Sequence, residues 1–229
     1  MKINLTDTQL FAGIAEKEIE ALLKCLNTVE RKYKRGEIIL SEGQPTEWMG
    51  VVLSGLVIIE CSDVWGNNSV LGSAAPGAVF AEAYACVPGE PLQISACAAE
   101  DTTVLFLNVG RALTTCTNAC VFHTKLVRNL LTVCAHKNLQ LSRRALHSSS
   151  KTIRGRLLSY FSECIKKEGS YSFTVPYNRQ QLADYLGVDR SAMSNELSKM
   201  QRDGLICYEK NQFTILKEER HREDFGSAE

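Results

Sequence analysis

Asn178-Arg179-Gln180-Gln181-Leu182-Ala183-Asp184-Tyr185-Leu186-Gly187-Val188-Asp189-Arg190-Ser191-Ala192-Met193-Ser194-Asn195-Glu196-Leu197 has the pattern of two short helices joined by a tight turn. Asn178 suits the N-cap of the first, since its side chain can accept from the exposed N–H groups of the first turn. Leu182, Ala183 and Leu186 then turn inward, and the small Ala183 lets the second helix approach closely. Gly187 can take the positive φ that ends the first helix. Asp189 caps the second, whose Met193, Leu197 and Met200 recur at helical spacing as one apolar face. Its other face presents Arg190, Ser191, Ser194, Asn195 and Ser198.

A two-helix hairpin inside an unrelated helical core would give the same apolar spacing. The chemistry of the outer face argues against it. Solvated helix faces usually mix Glu with Lys, whereas this one begins with Arg, Ser, Ser and Asn. Arg suits guanine, Asn suits adenine and Ser suits either, so Arg190, Ser191, Ser194 and Asn195 are the expected base-reading residues of a DNA-binding helix in the major groove. Arg179 and Lys199 are expected to contact phosphates. Gly204 to Leu216 follows as two short strands around a polar turn, which makes the segment a winged helix-turn-helix.

Working outward, residues 148–217 hold 11 Lys/Arg against 7 Asp/Glu, while residues 1–147 hold 13 against 14. The chain as a whole has a formal net charge of zero, which speaks against generic polyanion binding. The modest basic excess lies with the helix-turn-helix, where phosphate contacts need it. Hydrophobic residues make up 45% and charged ones 23% of 229 residues, an ordinary composition with room for two cores. No apolar run has the length of a membrane span and the N-terminus lacks a signal-peptide layout. With nine Cys and no secretory signal, reduced thiols and a cytoplasmic location are expected.

Residues 1–28 carry a helical pattern through Ile14, Ile19, Leu22, Leu23 and Leu26. From Val29 to about Asn108 the period shortens to runs such as Val51-Val52-Leu53 and Val104-Leu105-Phe106-Leu107, separated by glycines. This is the signature of an antiparallel sandwich or barrel, a β-roll. From about Val109 to Ser149 the pattern is helical again, with Phe122, Leu126, Leu130, Val133 or Cys134, and Leu141 on one stripe. That stripe would either pair with its copy in a twofold dimer or pack on its own β-roll. Ser148-Ser149-Ser150 marks a hinge. The expected fold class is therefore α+β: an effector-sensing β-roll (1–110), a dimerisation helix and hinge (111–149), a DNA-binding winged helix-turn-helix (150–217) and a charged tail (218–229).

This arrangement resembles the Crp/Fnr family of bacterial transcription regulators. Besides the helix-turn-helix, the resemblance rests on Arg35-Gly36-Glu37-Ile38-Ile39-Leu40-Ser41-Glu42-Gly43, on Val51 to Val57, and on Gly77-Ala78-Val79-Phe80-Ala81-Glu82. It implies a homodimer reading a two-fold-related site on double-stranded DNA, RNA polymerase as a partner, and an effector in or near the β-roll that biases placement of the recognition helix. Its cyclic-nucleotide-binding members hold the ribose with a Glu and the cyclic phosphate with an Arg-Ser pair. Glu82 and Ser95 match, but Ile94 stands where the Arg should be. Without that fork of donors cyclic AMP is not the expected effector; another, unknown small molecule is. Glu82 is then either a ligand contact or a turn-capping carboxylate. Ser142, on the long helix, either reaches the pocket or is a solvated hydroxyl. Many members also carry a Glu and an Arg where this chain has Ser191 and Asn195, which predicts a different half-site.

Other function classes fit less well. The nine Cys are scattered without a C-x₂-C, Cys116-x₃-Cys120 being the closest pair, so no iron–sulfur cluster, metal or other cofactor is expected. His123, His136 and His147 all fall on the long helix, away from a haem pocket. A direct thiol switch is the remaining redox alternative. The chain shows no catalytic triad order, phosphate-cradling glycine loop or His/carboxylate metal spacing, so no catalytic residues and no enzyme activity are expected. A ligand-binding module signalling through protein partners is the last alternative, and the recognition face argues against it.

Overall fold

The computed structural model describes residues 3–62, 65, 68–113 and 121–216. The charged tail 218–229 and the Cys116/Cys120 pair lie outside the described residues. The chain divides into two compact units, 1–137 and 138–229, and the boundary falls within one long helix.

In the first unit, helix α1 (Glu16–Cys25) is followed by strands β1 (Val29–Tyr33), β2 (Ile38–Leu40), β3 (Trp48–Ser54), β4 (Val57–Ser62), β5 (Asn68–Ala74) and β6 (Val79–Phe80). Helix α2 (Glu82–Ala85), strands β7 (Ser95–Ala98) and β8 (Thr102–Asn108), helix α3 (Val109–Leu113) and helix α4 (Val121–Ser148) complete it. Two four-stranded antiparallel sheets form, in the orders β1-β8-β3-β6 and β2-β7-β4-β5. The β-roll and the α+β class read from the sequence are both present.

The unbroken apolar runs of β3 and β8 have a physical cause. Successive strand residues point to opposite faces, and both faces of these two strands are covered. Met49, Val51, Leu53, Leu105 and Leu107 enter a core shared with α1 and α4. Val52, Val104 and Phe106 enter a second core with Ile39, Val57 and Ala96 of the facing sheet. Gly50, opposite Phe80 in the β3–β6 ladder, is required because a Cβ there would collide with the Phe80 ring.

The packing of the α4 stripe matches the second of its two readings. Leu126, Leu130 and Val133 are buried in the core of their own unit, with Phe122 and Cys134 packed against it. Each such burial contributes roughly 1.5–3 kcal/mol, so these residues hold α4 on the β-roll. Of the predicted stripe only Leu141 is exposed, and the other exposed leucines of α4 are Leu131, Leu139 and Leu146.

In the second unit, helix α5 (Ile153–Glu168) leads to strand β9 (Ser172–Thr174), helices α6 (Arg179–Leu186) and α7 (Arg190–Arg202), and strands β10 (Ile206–Glu209) and β11 (Gln212–Ile215). The wing is a three-stranded sheet in the order β10-β11-β9. Its third strand was not read from the sequence, because Ser172-Phe173-Thr174 is too short to show a period. Leu157, Phe161, Leu182, Ala183, Leu186, Met193, Leu197, Met200 and Phe213 make the core of this unit.

Candidate nucleic-acid interface

The turn between α6 and α7 is built as its residue types require. Asn178 accepts from Gln181 N at 2.9 Å while the Gln181 side chain accepts from Asn178 N at 2.9 Å, a reciprocal cap. Gly187 sits at φ 64°, where a side chain would be strained. Asp189 Oδ1 accepts from Ala192 N at 2.8 Å and from Ser191 Oγ at 2.5 Å. The Ser191 hydroxyl, followed by the Ala192 N–H, holds the Asp189 carboxyl below its ordinary pKa, so the cap is ionised near neutral pH.

Arginines fix the two helices from beneath. Arg154, on α5, donates to Glu196 Oε1 at 2.5 Å and to Asp203 Oδ2 at 2.7 Å, gripping α7 in its middle and at its end. Arg156 donates to the carbonyls of Leu186 and Gly187, and Arg144 to those of Asp184 and Tyr185. These oxygens lie at the C-terminal end of α6, the end of the dipole that cations favour, and Asp184 O also accepts from Gly187 N at 3.3 Å. His147, almost wholly buried, pairs its Nε2 with Glu163 Oε2 at 2.8 Å and its Nδ1 with Tyr185 Oη at 3.0 Å. Burial pushes the Tyr185 phenol up to about 12, so it is uncharged. Sequence reasoning missed this scaffold, whose partners lie 16 to 49 residues apart.

Above it stands the predicted reading face. Arg190, Ser191 and Asn195 are exposed and Ser194 is half-exposed. Ser194 Oγ donates to Arg190 O and Ser198 Oγ to Ser194 O, while Ser191 is tied to Asp189. The serine hydroxyls are thus already donating within the helix, and Arg190 and Asn195 carry the uncommitted donors. Lys199 is exposed on the same helix. Arg179 is placed otherwise than expected. Its guanidinium lies 5.1 Å from the ring centre of Tyr208 and 5.0 Å from that of Phe213, and donates to Lys210 O at 2.7 Å. Two aromatic faces hold it against the wing, so it is not displayed beside Lys199.

Of the expected effector residues, Glu82 and Ser95 have separate partners. Glu82 is buried in the first turn of α2 and pairs at 2.8 Å with Lys137 Nζ of α4, which also donates to Val79 O at 2.7 Å. Ser95 Oγ accepts from Glu42 N at 3.2 Å and shares no partner with Glu82. Ser142 is exposed on α4, in the second unit. Four of the thiols are held protonated by their surroundings. Burial, then the bond donated to Glu60, pushes Cys97 up to about 11, and burial also raises Cys86, Cys134 and Cys164. Among the described residues no cluster of three metal-ligating side chains occurs, and no helix is long and apolar enough to cross a membrane.

A β-roll followed by a winged helix-turn-helix with an exposed hydrogen-bonding face defines a DNA-binding transcription regulator. The model of the cyclic nucleotide-binding domain matches residues 30–118, and that of the Crp-like helix-turn-helix domain matches residues 155–220. The chain belongs to the Crp/Fnr family. It is 21% identical over 206 residues to the transcriptional activator protein FnrL of Cereibacter sphaeroides, covering 81% of this chain and 75% of that protein. Its fold is similar to that of a CooA mutant from Carboxydothermus hydrogenoformans (TM-score 0.58, 20% identity, 93% of this chain and 94% of that one). It is likewise similar to the c-di-GMP responsive regulator CLP of Xanthomonas campestris (TM-score 0.55, 17% identity, 87% and 98%).

Proposed function

We propose that the chain acts as a homodimer that reads a two-fold-related DNA site, under the control of a small molecule other than cyclic AMP. The observation that carries this is the outer face of α7, where Arg190 and Asn195 stand exposed on a helix clamped by Arg154. Arg190 is suited to the O6 and N7 of guanine, and Asn195 to the N6 and N7 of adenine. Lys199 supplies a phosphate contact on the same helix, while Arg179 holds the wing to α6. The dimer contact is assigned to the exposed Leu131, Leu139 and Leu146 of α4, which follow one another at steps of 8 and 7.

Two observations support an effector other than cyclic AMP: Ile94 replaces the arginine of the phosphate pair, and Lys137 already neutralises Glu82. For Cys86, Cys97, Cys134 and Cys164 the raised pKa values disfavour a thiol switch. Half-sites of such a dimer should be centred about one helical turn, or a multiple, apart. RNA polymerase is the expected protein partner. The test is in-vitro selection from random duplex DNA with the purified full chain, with and without reductant. An enriched palindrome with guanine and adenine in each half supports the reading. Retention without sequence enrichment, or a protein that stays monomeric at micromolar concentration, overturns it.

A further inference from the structure

Strands β1 and β2 are each an edge strand of their sheet, and a pocket is lined by residues of both. It is an open groove whose space, together with the solvent at its mouth, comes to about 390 Å³. Val29 and Arg31 of β1, Ile39 and Leu40 of β2, Trp48 of β3 and Phe106 of β8 form its walls. Neither Glu82 nor Ser95 is among them, so it is separate from the positions that the family's nucleotide-binding members use. We propose that this pocket binds a small carboxylic acid with a flat, apolar body. The proposal rests on reading the β-roll as the effector domain and names where and what the effector would be.

The chemistry of the walls selects that class. Five of these residues are apolar, and two of them present aromatic surface against which a ring can stack. The remaining one, Arg31, is the single charged lining residue. It is exposed, and its guanidinium carbon lies 5.9 Å from the centre of the Phe106 ring. No ion pair or hydrogen bond engages it among the described residues. Its neighbours Glu30 and Lys32 project to the other face of β1, as strand alternation requires. The pocket thus offers a cation that can meet a carboxylate with two parallel N–H donors while its plane stays over an aromatic ring. The only other polar side chain, Thr46, accepts from Trp48 N at 3.0 Å and donates to Trp48 O at 3.1 Å. It is spent on the Trp48 backbone and leaves little to hydrogen-bond a ribose or a phosphate. A site with one cation, no acid and mostly apolar walls fits one anionic group on a hydrophobic frame.

The chain has two tryptophans, so Trp65→Phe leaves Trp48 as the sole indole reporter in the full-length protein. Phenylacetate is the probe and phenylacetamide its uncharged twin of the same shape. Phenylacetate should change Trp48 emission saturably, with a Kd on the order of 1 mM for a ligand of this size. The amide should bind about tenfold more weakly, the scale of one charge-assisted contact. Arg31→Gln should weaken phenylacetate by a similar factor and erase the preference for acid over amide. Arg31→Lys, which keeps the charge but not the fork, should fall between. Equal affinity for acid and amide in the parent protein overturns the proposal without any variant. No saturation up to about 20 mM, well beyond that Kd, does so too. DNA selection on the same preparation separates the two readings. A palindrome enriched without acid binding removes the pocket assignment alone, and acid binding without enrichment upholds the pocket and removes the DNA-reading proposal.

Discussion

Helices α7 and α2 both carry residues at positions that the family uses for binding, and they place them in opposite settings. On α7, Arg190 and Asn195 stand in solvent, and the polar contacts that hold the helix come from beneath, through Arg154. On α2, Glu82 is buried and bound to Lys137 of α4. The same kind of motif residue is therefore presented in one unit and enclosed in the other. A sequence match reports the backbone position of a residue; what stands opposite it decides whether it is offered to a ligand.

The largest effect should come from opening the enclosed site. Lys137→Met leaves the Glu82 carboxylate buried without its cation, and unfolding of the β-roll should lose about 3 kcal/mol, the lower part of the range for broken buried pairs because Lys137 is itself partly exposed. Urea denaturation measures this. A loss below about 0.5 kcal/mol would place Glu82 in contact with water and remove the contrast between the two helices.

Next comes the exposed site. Arg190→Ala should cost about 1–3 kcal/mol at one base pair of the selected half-site and little elsewhere. Competition binding against single-base variants of the site decides it, and uniform weakening would turn Arg190 into a phosphate contact. Arg179→Ala should show the reverse pattern. Removing the cation between Tyr208 and Phe213 should lower stability by about 1 kcal/mol, while the salt slope of DNA binding stays the same. A slope flatter by about one unit would restore Arg179 as a phosphate ligand.

The smallest effect concerns pH. The Asp189 carboxyl is held below its ordinary pKa by Ser191 and then by the Ala192 N–H. Its contribution is present above the unfolded value and fades as pH falls below about 4. Asp189→Asn, which can still cap α7, should flatten the acid limb of the helical circular dichroism of the second unit. An identical acid limb in both proteins would assign that transition to other carboxylates.

How much of this was legible in the sequence depended on range. The caps at Asn178 and Asp189 and the αL turn at Gly187 were readable because each is decided within three residues. The two sheets were readable from glycine-bounded apolar runs, but the cover on both faces of β3 and β8 was not, since period alone does not separate one buried face from two. The stripe on α4 was seen, yet its partner was not: Leu126, Leu130 and Val133 would look the same facing a second copy or the β-roll. Arg179 and Glu82 were placed by chemistry that suited solvent, and their partners Tyr208, Phe213 and Lys137 stand 29 to 55 residues away.

The carbonyls at the end of α6 have a mechanical meaning. Arg144 lies on the last turns of α4 and Arg156 on α5, yet both close the same few oxygens of α6, and His147 fastens Tyr185 a turn further along α4. Three helices thus share one knot of hydrogen bonds just before the turn that leads into α7. Twisting the final turn of α4 must either carry α6 with it or break charged contacts. The end of α4 is thus tied to α6, and through the Gly187 turn to α7, by side-chain bonds as well as by the backbone.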